Sequence, residues 1–128
     1  MPRLVFKIAF VFGMLALVPL YFLEQRIGVD EPPAITHPEY FYGFVGVALA
    51  WQLGFAVIAS DPVRYRPIML PAMFEKLSFG GAAVILYAMG RLSPTMLGAG
   101  LIDLVFLGLF IAAYRATPKD GPTRVGPL

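Results

Sequence analysis

Four apolar stretches, residues 4–23, 40–60, 67–90 and 94–114, constrain this chain more than any other feature. Each approaches the ~20 residues that a helix needs to cross ~30 Å of hydrocarbon at ~1.5 Å per residue. A spanning strand would need only about 9–11 residues in strict alternation, and no such alternation occurs here. Lipid offers no hydrogen bonds to an open backbone, so the segments must be helices. The composition agrees, with 59% hydrophobic and 14% charged residues against about 45–50% and about 25% in soluble domains. The expected fold is therefore all-α: an integral membrane, four-transmembrane-helix up-down bundle. It forms one domain over residues 1–115, followed by a flexible cytoplasmic tail over 116–128.

The breaks between spans carry turn chemistry. "DPVRYRP" (61–67) and "RLSP" (91–94) are short connections, and Ser93–Pro94 reads as an N-cap followed by a proline at the first helical position. Residues 24–39, "EQRIGVDEPPAITHPE", form the one sizeable loop, and the Pro-Pro pair bars a helix through its middle. The basic start "MPRLVFK" resembles a signal peptide, but the apolar run is long and no small-residue cleavage signal precedes "YFLEQR". The first helix is expected to be retained.

Basic residues set the expected orientation. With both termini inside, Arg3, Lys7, Arg64, Arg66, Arg115, Lys119 and Arg124 are cytoplasmic, and only Arg26 and Arg91 lie outside. This positive-inside bias explains the net charge of +2 without an anionic partner. With no cysteine in the chain, disulfides, thiolate nucleophiles and iron–sulfur ligation are excluded. One histidine, His37, beside scattered carboxylates does not make a metal site. No Ser-His-Asp set and no phosphate loop is present either, so neither catalysis nor a cofactor is expected. Nothing in the sequence suggests nucleic acid; the expected partners are the bilayer and other membrane subunits, or further copies of the chain.

Gly46, Ala50 and Gly54 recur every four residues in the second span. Small residues at that spacing let helix backbones approach closely, which makes this stripe the expected packing face.

Charges at membrane depth are costly and are functional hypotheses by default. Lys7 sits one turn in and can snorkel to the inner face. Lys76 is expected to do the same, with its helix starting at Pro71 after a turn over "RPIML". Glu75 diverges from Lys76 by about 100° around the helix. Arg64, Arg66, Gln52 and Lys7 are its expected partners, in a structural ion pair at the inner mouth. Asp103 lies ~14 Å below the outer face, counting from Pro94, with no basic residue expected at its level. It is read as a neutral carboxylic acid bonded across helices, or as a proton- or ligand-binding group shared with Glu75 and Gln52.

The blocks "HPEYFYGFVGVALAWQ" and "DPVRYRPIMLPAMFEK" resemble the shared core of small uncharacterised bacterial inner-membrane proteins. In broad design the chain is also similar to the DoxX-like group. The resemblance implies a bacterial four-helix inner-membrane protein and brings no activity with it. The leading functional expectation is a non-catalytic accessory or interaction subunit of a membrane assembly. The alternative is a protein that handles a small molecule, lipid or proton through Asp103 and Glu75.

Overall fold

The computed structural model describes residues 1–119. It contains the helices α1 (Pro2–Leu17), α2 (Glu24–Asp30), α3 (Pro38–Ser60), α4 (Met69–Ala88) and α5 (Pro94–Ala116), and no strand among the described residues. Two 3-10 turns complete it: Val18–Phe22 extends α1 and Arg66–Ile68 leads into α4. Four helical segments are long and apolar enough to cross a membrane: Pro2–Phe22, Pro38–Ser60, Arg66–Ala88 and Pro94–Ala116. The chain is thus a multi-pass membrane protein.

Local chemistry explains the boundaries. Proline occupies the first turn of α1, α3 and α5, where a missing N–H costs nothing. Ser93 Oγ accepts from the Met96 amide at 3.2 Å and caps α5. Gly90, at φ +70°, ends α4, and the Arg91 amide reaches back to the Leu86 carbonyl at 2.8 Å. Pro19 cannot donate into α1, which gives way at Leu17 to the 3-10 turn. In the loop the Pro-Pro break holds, but the stretch before it coils into the short α2, stitched by Arg26 to Asp30 at 3.0 Å.

The third span differs from the expectation. A turn does lie within the "RPIML" segment, as the 3-10 turn Arg66–Ile68, yet α4 begins at Met69 rather than Pro71. Pro71 falls within the first turn, where its absent N–H would have had no helical partner. Coiling is therefore continuous from Arg66, which sets Lys76 ~15 Å into the span instead of ~8 Å.

The helices associate as close pairs, α1 with α3 and α4 with α5, and α1 also packs on α5; α3 and α4 barely touch. At the centre Phe6 stacks on Phe110 with ring centroids 4.4 Å apart, and Phe55 meets Phe110 edge-on at 5.0 Å. Lipid supplies little hydrophobic drive between helices, so close approach and dispersion must hold them. The closest approaches are at glycines outside the expected stripe. A Cβ on Gly80 would stand 2.7 Å from Leu104, one on Gly100 would overlap Ala83, and one on Gly13 would overlap Gln52.

Gly46, Ala50 and Gly54 do not form that seam. A Cβ at Gly46 would meet only the Tyr21 hydroxyl at 3.6 Å, one at Gly54 only its own neighbour Trp51, and Ala50 is exposed. The buried face of α3 is instead Val45, Ala48, Gln52, Phe55 and Ile58. Small-residue spacing marks a face that can be approached, while the bulkier neighbours decide which face is. At the chain end α5 runs to Ala116 and Thr117 is buried. Of the tail expected over 116–128, residues 120–128 lie outside those described.

Candidate functional site

The site is built where α4 and α5 run antiparallel with Gly80 on Gly100. One turn from that contact, Lys76 Nζ donates to Asp103 Oδ1 at 3.2 Å. Lys76 is only 6% exposed. Its ammonium also lies 5.3 Å from the centre of the Phe55 ring and 5.5 Å from that of Phe106. Aromatic faces are negative at the ring centre and replace part of the lost hydration of a cation. Lys76 thus reaches inward among three helices rather than snorkelling.

Asp103 therefore has a cation at its level, contrary to the expectation. The reason is additive: ~15 Å from Arg66 on α4 and ~14 Å from Pro94 on α5 together equal the hydrocarbon thickness of ~30 Å. The glycine contact then brings the helices within reach of a lysine stem.

Glu75 completes the cluster, with Oε2 3.6 Å from Lys76 Nζ. Adjacent positions do diverge around α4, but the long lysine stem curls back far enough to approach its neighbour. That distance is an ion-pair contact beyond hydrogen-bond range, and Glu75 Oε2 is buried with no hydrogen-bond partner. One ammonium faces two carboxyl groups, so with both ionised the cluster holds one uncompensated negative charge.

Glu75 also lines a half-open groove of about 520 Å³ where α3 and α4 stand apart. Its walls are almost wholly apolar, with Phe44, Val47, Trp51, Phe74 and Phe79 beside Ser78. These wall residues recur at 44, 47, 51 on α3 and 71, 74, 75, 78 on α4, a helical spacing that marks one stripe on each helix. That signal was present in the sequence; that the two stripes would face each other across a gap was not.

The remaining candidates lie elsewhere. Gln52 is 1% exposed, its Nε2 donates to the Ala48 carbonyl at 2.8 Å, and its Oε1 is buried without a partner beside Gly13. The Arg64 amide donates to Asp61 at 3.2 Å, and its guanidinium lies over Tyr65. Arg66 Nε donates to the Tyr114 and Thr117 carbonyls at 3.2 and 2.9 Å, with its guanidinium 3.7 Å from the Tyr114 ring centre. It secures the end of α5 in place of an ion pair with Glu75. Lys7 is exposed. His37 pairs with Glu39 at 3.1 Å on the exposed approach to α3.

The chain matches no family model, no curated protein and no solved structure.

Proposed function

We propose that this is a non-catalytic, multi-pass membrane protein that binds a small molecule, lipid or proton at Glu75, with Lys76 and Asp103 holding the cluster in place. One observation carries the reading: Glu75 lines an apolar groove, and its buried Oε2 makes no hydrogen bond and shares its one cation, Lys76, with Asp103. Charges buried in a span cost more than a hydrophobic substitute would, so a cluster with two carboxyl groups on one ammonium suggests a use beyond packing. Purification from native membranes, followed by mass spectrometry of bound small molecules and lipids, tests it. The wild-type chain should carry a ligand that Glu75→Gln loses. Identical contents in both would end the idea.

The accessory-subunit reading has its own support. The thin contact between α3 and α4 leaves Phe44, Val47 and Phe74 exposed, a face that a partner helix could cover. Co-purification of one membrane protein in fixed proportion, lost when Val47 is replaced by a bulky residue, would favour it.

The topology of this reading is an up-down bundle in a bacterial inner membrane, with both termini cytoplasmic. The basic-residue bias supports the orientation. The antiparallel registers, Gly13 against Gln52 and Lys76 against Asp103, support the bundle. Cysteine labelling from each side of sealed vesicles, at Gly28 and at Val63, checks it: Gly28→Cys should react only from outside and Val63→Cys only from inside.

A further inference from the structure

We infer that the groove between α3 and α4 takes a small organic monocation with an apolar body, such as a quaternary ammonium or phosphonium ion. The inference rests on the binding reading above and names its ligand class. Two independent observations converge on it. The first is charge: a single ammonium, Lys76 Nζ, is shared by Asp103 Oδ1 at 3.2 Å and Glu75 Oε2 at 3.6 Å, and the Glu75 oxygen is buried without a hydrogen bond. The second is the wall chemistry, because Phe44, Trp51, Phe74 and Phe79 stand around the same opening.

Aromatic faces beside a carboxylate are the arrangement that recognises cations too weakly hydrated to resist leaving water. An inorganic ion would need several oxygen ligands, and the groove offers Glu75 and Ser78 among its polar side chains. An anion would meet two carboxyl groups that share one ammonium, and a neutral molecule would add no second cation to them. The groove is half-open and apolar, so the ligand's body can face the lipid while its charge faces Glu75.

The chain carries its own reporter, since Trp51 is the single tryptophan and lines the groove. The full chain in phosphatidylcholine nanodiscs would be titrated with tetraphenylphosphonium and with tetraphenylborate, which share a shape and carry opposite charge. The expected result is a saturable change in Trp51 emission with the phosphonium alone, weakened at least ~10-fold in Glu75→Gln. Gly43→Leu should abolish it with helix content unchanged, because Gly43 lines the groove and a Cβ there meets nothing within 4 Å. Saturation by both ions, blocked by Gly43→Leu and indifferent to Glu75→Gln, would overturn the cation class and leave the groove as a binding site. No saturable response to either ion would overturn the monocation proposal, while the binding reading stands or falls by the native-membrane ligand that Glu75→Gln loses. Disulfide cross-linking of Val47→Cys chains, together with that silence, would assign the groove to a second copy.

Discussion

Lys76 and Asp103 join two helices through a single 3.2 Å hydrogen bond inside a span, where neither side chain has bulk water to return to. Removing one partner of a buried pair strands the other, at ~3–5 kcal/mol. Lys76→Met strands two carboxyl groups, so it should destabilise more than Asp103→Asn. Unfolding in mixed detergent micelles reads both. The double-mutant cycle should give a coupling above the ~0.6 kcal/mol average for polar contacts between membrane helices. A coupling near zero would mean that the bond is incidental to the fold.

Glycines should divide by what surrounds them. Gly80→Val drives its side chain towards Leu104 and the Gly100 carbonyl and is expected to cost ~1–3 kcal/mol. Gly43→Ala and Gly108→Ala meet open space and should be neutral, or stabilising by up to ~1 kcal/mol through lower chain entropy. Thermal unfolding of the three variants side by side gives the comparison, and equal losses would refute the packing seam.

Gly13 and Gln52 form a matched pair across α1 and α3. Gly13→Ala alone collides with the Gln52 side chain. Adding Gln52→Ala removes both the obstruction and the buried unpartnered Oε1. The double variant should therefore be more stable than Gly13→Ala by ~1 kcal/mol or more. If the two losses simply add, the contact is not what limits that approach.

Arg66 carries the last turn of α5. Arg66→Ala frees the Tyr114 and Thr117 carbonyls and removes the stacked cation from the Tyr114 ring. Amide exchange over residues 113–117 should quicken, with little change near Gly100. Lysine at this position should recover only part of the protection, since a point charge cannot reproduce the planar guanidinium.

The spans were legible because apolar length is a local property; the site was not, because it depends on relations between helices. Hydropathy locates the segment holding Lys76, but its depth turns on whether Pro71 starts α4 or sits inside its first turn. The available signal was arithmetic, since depths counted inward from Arg66 and from Pro94 meet at one level. The packing seam differs from the expected stripe for a related reason. Gly46, Ala50 and Gly54 have the right spacing, while Gly80 and Gly100 lie on different helices and no pattern within one segment connects them. The Arg66 clasp was out of reach as well, because its acceptors are backbone carbonyls 48 and 51 residues away.

Both ends of α5 are fastened to protein. Ser93 caps its start and donates to Glu31 at 2.6 Å, and Arg66 closes its end. Such a helix cannot answer a thinner or thicker bilayer by sliding along α4 without breaking one fastening or the other. α1 has no side-chain fastening of this kind, and its 3-10 end rests on α3 through Tyr21 stacked on Tyr42 at 5.9 Å. The register between Lys76 and Asp103 is thereby insulated from the lipid composition around it.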